Sequence, residues 1–195
     1  MSEVMFSPSV KAIQLRRGSR ERFDAREQWP SRVTPELAEF IAAQTSFYLS
    51  TASADGQPYI QHRGGPPGFL RALDEETLGF ADFRGNRQFI TLGNLAENPK
   101  AFIFLMDYAQ RRRIKLWGEA RVVEDDPALL ESLRPADYKA VPEQVILFRL
   151  RAWDVNCQQH IPQRFEAKDV AAALAVRDRR IAALEEEVAR LTLGK

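Results

Sequence analysis

Cysteine occurs once in the 195-residue chain, at Cys157, so no disulfide can close within it. That pattern fits a reducing compartment and predicts a cytoplasmic protein. Long apolar runs are missing too. The longest, Val170–Val176, has seven residues, against the roughly 20 that a membrane-spanning helix needs. The segment MSEVMFSPSVKAIQLRRG has no apolar h-region and reads as mature sequence rather than a signal peptide. Neither sign of charge dominates: 28 basic residues against 27 acidic give a formal charge of +1. Bulk charge therefore predicts neither nucleic acid nor an anionic membrane as partner, and any recognition of an anion must be local.

Catalytic motifs are equally scarce. There is no H-E-x-x-H, no G-x-S-x-G and no Walker loop. Ser46, Ser50 and Ser53 stand in no context that marks a nucleophile. The only histidines are His62 and His160; with Cys157, His160 makes half of a metal-like motif, CQQH. A structural zinc needs four ligands, so no metal site is predicted.

What is present is ordinary for a globular protein: 45% apolar and 28% charged residues. The length suits one domain with a full core plus an appendage. Residues 1–33 read as an N-terminal helix and a wrapping segment, 34–165 as the main domain, and 166–195 as an amphipathic helix. Within the first, 9–17 predicts a helix stopped by Gly18, and 19–32 is charged and aperiodic. Thr34-Pro35 signals the start of a helix that buries Leu37, Phe40 and Ile41 and ends near Gln44.

Strand patterns follow at 47–52, 58–63, 78–82, 101–106, 112–123 and 144–155, the first two joined by the turn Ala54-Asp55-Gly56-Gln57. Helical signals fall only between the third and fourth strands, between the fifth and sixth, and at the ends. This predicts a mainly β (α+β) fold: six antiparallel strands in a barrel or sandwich, with peripheral helices. The fourth strand, AFIFLM, is apolar on both faces, so its outer face needs a cover such as a partner subunit. In the fifth, Ile114, Leu116, Gly118, Ala120 and Val122 share one face; Trp117 shares the other with Lys115, Glu119 and Arg121. A lone tryptophan among charges suggests an interface or a ligand. Arg111-Arg112-Arg113 falls at a hairpin tip and predicts solvated charge. The last segment carries a heptad, with Ala167, Leu174, Ile181 and Val188 in one series and Val170, Leu184 and Leu191 in the other, broken by Arg177. It suits a coiled coil or a helix lying back on the barrel.

Arg84-Gly85-Asn86-Arg87 sits where a strand turns into a helix. A phosphate wants helix N-terminal N–H groups, guanidiniums and a backbone without Cβ, and this corner offers all three. A solvated turn whose arginines pair with carboxylates explains the same residues, and the residues alone leave both open.

The order of these features resembles a known family. The hairpin DGQPYIQHRG, the strand end GFADFRGNRQ, the helix TLGNLAENP, the strand AFIFLM and then IKLWGEARVVE follow one another as in the pyridoxamine 5′-phosphate oxidase-like family of flavin mononucleotide (FMN)-binding split barrels. The resemblance spans about residues 35–165, and NCQQHIPQRF is similar to a tail in one bacterial flavin-nucleotide-binding branch. It implies a six-stranded split barrel that forms a homodimer, with FMN in clefts between the subunits. It implies that Gly85, Asn86 and Arg87 hold the phosphate, with Gln88 where the pattern has lysine and Arg84 matching an arginine of some relatives. It further implies that Ile60, Gln61, His62 and Arg63 line the isoalloxazine, and that Trp117 lies at the cleft or its rim. Gly64-Gly65-Pro66-Pro67 replaces the basic continuation of the second strand in the true oxidases. Together with Gln88 this argues against pyridoxamine phosphate as substrate.

The expected function is an FMN-dependent oxidoreductase acting on a small molecule, with the flavin carrying the redox chemistry. His62 is placed to hydrogen-bond a ring edge or substrate, and His160 and Arg164 to reach a substrate on the open face; a purely structural role fits each equally. The alternatives are a protein that binds flavin or haem without turnover, haem wanting an axial His, Cys or Met, and an interaction module that recruits a partner through its C-terminal helix.

Overall fold

The computed structural model describes residues 4–24, 29–155 and 158–193. Helix α1 (Pro8–Arg16) begins where the Ser7 hydroxyl accepts from the Val10 N–H at 3.3 Å, and ends before Gly18, whose φ of 69° is left-handed. Helix α2 (Arg20–Asp24) arises in the stretch expected to be aperiodic, where Arg20 and Asp24 pair one turn apart. Helix α3 (Pro35–Ala43) starts as its sequence predicts: Thr34 Oγ1 accepts from the Leu37 N–H at 3.3 Å, and Leu37, Phe40 and Ile41 are buried.

The strands are β1 (Ser46–Ala52), β2 (Pro58–Gly64), β3 (Arg71–Ala72), β4 (Thr77–Phe83), β5 (Lys100–Asp107), β6 (Arg112–Val123) and β7 (Pro142–Val155). Helix α4 (Ile90–Glu97) follows β4, α5 (Pro127–Leu133) follows β6, and α6 (Ala167–Leu193) closes the described chain. All strands join one antiparallel sheet in the order β2-β1-β5-β6-β7-β4-β3, the split-barrel fold. Seven strands replace the expected six. The extra one, β3, is two residues at the sheet edge, too short to show a period of two. It hydrogen-bonds β4 through a turn held by Asp74. The Glu76 and Thr77 N–H groups both donate to the Asp74 carboxylate at 2.7 Å, and these bonds, Glu76 first, hold its pKa below 3.8.

Inward faces of β1, β4, β5, β6 and β7 supply the core. Phe47 is central, stacked on Phe69 at 5.5 Å and edge-on to Phe80 at 5.1 Å. In β6 the predicted alternation holds: Ile114, Leu116, Gly118 and Ala120 are buried. Gly118 sits at a bulge, since Trp117 faces Ala152 while Gly118 faces Leu150. A Cβ there would collide with the Arg149 carbonyl and the Phe148 ring. The arginine triplet is less solvated than predicted. Arg112 lies over the Phe40 ring (4.7 Å) and Arg113 over Phe104 (5.7 Å), because both belong to β6 rather than to the tip.

The chain divides into two compact units, residues 1–107 with 112–158, and residues 108–111 with 159–195. The second joins the β5–β6 tip to the C-terminal segment. Gln163 Nε2 donates to the Ala109 carbonyl at 2.9 Å, and the Arg164 guanidinium lies 4.7 Å over the Tyr108 ring. No residue of α6 is buried. Among the described residues no helix is long and apolar enough to cross a membrane.

A candidate anion-binding corner

Leu78 and Phe80 point from β4 into the core, and Asp82 continues the same face. A buried carboxylate needs partners, and Asp82 has two. Arg63 of β2 pairs with it, and Gln144 Nε2 of β7 donates to its Oδ2 at 2.7 Å. Strands β2 and β4 are not hydrogen-bonded neighbours, so this ion pair bridges the open side of the sheet. Arg63 Nε is buried without a hydrogen-bond partner.

Beyond Phe83 the chain turns sharply. The Arg84 N–H donates to the Val141 carbonyl and its Nε to Glu143 Oε1, each at 2.8 Å. Asn86 Oδ1 accepts from the Gln88 N–H at 3.2 Å, a local side-chain turn. Arg87 (φ 60°) and Phe89 (φ 55°) are both left-handed, which costs a non-glycine residue roughly 1–2 kcal/mol. Two such residues in three is concentrated strain, and strain of this kind gathers where the backbone is held for a ligand.

Phe89 occupies the N-cap of α4 with no side-chain cap. The N–H groups of the first turn therefore have no capping side chain at the positive end of the helix. Ile90, Thr91 and Leu92 line a cleft with Gly85, Asn86, Arg87, Gln88, Gln61 and Arg63. Its enclosed space is about 50 Å³, enough for a few waters or one anionic group and not for a fused ring system. Thr91 Oγ1 donates to Gln61 Oε1 at 2.8 Å, which fixes the amide beside the cleft. Gly85 is not left-handed, and a Cβ there would meet nothing within 4 Å. The protein itself thus gives no steric reason for glycine, while a ligand approaching the backbone would.

Both readings of the two arginines have structural content. Arg84 is tied to Glu143 and does not line the cleft; Arg87, 3.9 Å from the same carboxylate, does. An anion entering the corner meets Arg87 and the helix end, and competes with Glu143.

The remaining expected residues lie elsewhere. Strand alternation turns Ile60 and His62 to the face opposite Gln61 and Arg63. Registers align Ile60, Ser50, Phe102 and Trp117 in one row, and His62, Tyr48, Phe104 and Lys115 in the next. Trp117 is not the lone aromatic predicted: Phe102 packs edge-on to it at 5.0 Å, as Tyr48 does to His62 at 5.6 Å. Lys115 lies over Trp117 and pairs with Asp154 at 3.1 Å. This outer aromatic face includes Ile60, 61% exposed, and an open groove of about 960 Å³ beside Phe102 and Trp117. Within one chain, then, Ile60 and Trp117 lie on the face opposite the corner, while His62 also lines a cavity of about 180 Å³ with Gln61, Arg63 and Gly85. His160 and Arg164 belong to the second unit, where His160 is exposed with φ 64°. Cys157, the first residue of the CQQH motif, lies outside the described residues. Among the described residues no three His, Cys, Asp or Glu side chains converge as metal ligands.

Sequence reasoning missed Asp82, Thr91, Glu143 and Gln144. Asp82 had a signal: an acid continuing the apolar face of Leu78 and Phe80 must be buried and paired. Glu143 had none, because only the sheet register brings β7 to the corner.

Comparison with known proteins accords with this geometry. The family model for pyridoxamine 5′-phosphate oxidase matches residues 33–159. No curated protein matches the chain. Among solved structures, HupZ of Group A Streptococcus is similar at 20% identity and a TM-score of 0.53, covering 68% of this chain and 99% of its own. An FMN-binding protein from Syntrophomonas wolfei is similar at 13% identity and a TM-score of 0.50, covering 75% and 97%. At these identities the likeness shows the shared fold.

Proposed function

The chain belongs to the pyridoxamine 5′-phosphate oxidase family, and from that premise we propose that it is an FMN-binding flavoprotein that acts as an oxidoreductase on a homodimeric barrel. The observation that carries the reading is the uncapped N-terminus of α4, which opens with Arg87 onto a cleft of anion size beside Gly85. These donors fit a phosphate monoester, the end of FMN that most needs fixed charge and N–H groups. Gly85, Asn86, Arg87 and Gln88 hold it directly. Arg84 acts at one remove by holding Glu143.

Gln61 and Arg63 flank the corner and orient the ring end. The enclosed cleft is too small for a flavin ring, so the ring needs a second wall. The exposed aromatic face with Ile60, His62 and Trp117 is a suitable wall when supplied by a second subunit, which supports a reading with the cofactor between subunits. The flavin, when bound, supplies hydride or electron transfer; the residues named here bind it, orient it and exclude water. His160 and Arg164 serve the substrate side. Gln88 and Gly64-Gly65-Pro66-Pro67, which depart from the oxidase pattern, favour a small-molecule substrate other than pyridoxamine phosphate. The single cysteine accords with a cytoplasmic setting.

The test is the visible spectrum of the purified protein, before and after excess FMN and desalting. Flavin retained in stoichiometric amount is expected. A protein that keeps no flavin overturns the reading, and a haem-type band in its place would make the chain a haem binder on the same barrel.

A further inference from the structure

Helix α6 is 27 residues, about 40 Å at 1.5 Å per residue, and carries an apolar stripe that none of the described residues buries. Val170, Leu174, Ile181, Leu184, Val188 and Leu191 are each between 41% and 63% exposed. Isolated helices are held chiefly by packing of such a face, so the stripe needs an occupant. We propose that the occupant is the α6 of a second copy of this chain, in a parallel two-stranded coiled coil.

Three features select that partner and that direction. With Leu174, Ile181 and Val188 at position a, and Val170, Leu184 and Leu191 at d, a d side chain of a parallel partner enters a hole made of successive a, d, e and a residues. Ile181, Leu184, Glu185 and Val188 are those four, and with Ala189 they form an apolar concavity of about 390 Å³ on the helix surface. Flanking charges agree. Arg180 falls at g and Glu185 at the following e, the pair that meets across a parallel seam, twice by symmetry.

The antiparallel alignment that preserves the same core layers sets Arg180 against Arg180 and Asp178 against Asp178. The third feature is the break in the heptad. Arg177 takes a d position, and in the parallel coil its hole is Leu174, Arg177, Asp178 and Ile181 of the second copy, so the two guanidiniums meet across the seam with a carboxylate beside each. A polar residue at one core position fixes register at some cost in stability, so Arg177 holds the parallel alignment in step.

Cysteine crosslinking of the full chain tests this. In a Cys157→Ser background, Leu184→Cys at the seam is expected to form a disulfide between chains on mild oxidation, while Ala172→Cys, on the outer face of the helix, is not. Arg180→Glu is expected to slow crosslinking at 184, and adding Glu185→Arg to restore it. Equal crosslinking at 172 and 184, or none at either, overturns the proposal, since helices merely held near one another would link without regard to face. Crosslinking of Leu184→Cys only when mixed with Leu174→Cys overturns the parallel arrangement. Loss at Arg180→Glu without rescue overturns the assigned charge pair.

Discussion

Arg63 and Asp82 form an ion pair between strands that share no backbone hydrogen bonds, and Gln144 binds the second oxygen of Asp82 at 2.7 Å. Their side chains are only 12% and 7% exposed, so removing one partner strands the other's charge in the interior. Asp82→Ala is expected to destabilise the fold by about 3–5 kcal/mol. The apolar double replacement Arg63→Met with Asp82→Leu should cost clearly less than the two single changes added. Urea denaturation of the parent, Arg63→Met, Asp82→Leu and the double replacement measures this; additive losses would show that the two residues do not act as a pair.

The proposed phosphate role separates from stability at Gly85 and Arg87. Both are exposed, and a Cβ at Gly85 touches nothing. Gly85→Ala and Arg87→Glu should therefore unfold within about 0.5 kcal/mol of the parent. Losing a charge-assisted bond is worth about 1.5–3 kcal/mol, so FMN affinity should fall roughly 10- to 100-fold, and further for the charge reversal. Flavin fluorescence quenching gives the affinity, and unchanged retention in Arg87→Glu rejects the corner as the phosphate site.

Glu143 makes the opposite prediction. It engages Arg84 at 2.8 Å and lies 3.9 Å from Arg87, so a bound phosphate shares its guanidinium with a carboxylate. Neutralising it in Glu143→Gln removes a like charge from the edge of the site, worth on the order of 1 kcal/mol where the pair is screened by water. FMN should bind about 5-fold more tightly, most visibly at low salt. Weaker binding would mean that Glu143 matters chiefly by holding Arg84 in place.

How much of this was legible in the sequence varied with the physics involved. Period-two alternation marked β1 and β6, where one face is core and the other is not, and an unbroken apolar run marked β5. Alternation was blind to β3, whose two residues cannot alternate detectably. The turn at 84–87 was legible as a strand-to-helix corner, while the residues alone left open whether its arginines meet an anion or pair with carboxylates. Its carboxylate was not, since Glu143 arrives from 59 residues away through the pairing of β4 with β7. Ile60 and His62 turn away from Gln61 and Arg63 within β2. Alternation implies it, but only the curl of the sheet shows which side the cleft is on.

Asp74 sets an acid limit on the β3–β4 edge. Its carboxylate accepts from the Glu76 and Thr77 N–H groups, which lowers its pKa from 3.8. A pKa depressed by folding stabilises the native state above the unfolded value and stops doing so as pH falls through the folded value. The stability difference between the parent and Asp74→Ala should be constant above about pH 5 and shrink below pH 3.8. A difference that persists undiminished at pH 3 would show that the turn is held by backbone geometry alone.

The proposed aromatic interface and the proposed coiled coil of α6 are separate means of association, and truncation distinguishes them. Phe102 and Trp117 meet at 5.0 Å on a sheet face that one chain leaves half-covered, and buried aromatics of this kind dominate interface energetics. A chain ending at residue 166 should therefore remain dimeric by light scattering. Phe102→Glu in that shortened chain should yield monomers, because a carboxylate in the middle of the face would be desolvated without a partner. The same substitution in the full chain leaves the heptad of α6 intact, so the helices should keep the copies associated while flavin is lost from the interface. A truncated chain that is already monomeric would assign dimerisation to α6, and the second wall of the flavin site would then have to be sought within a single subunit.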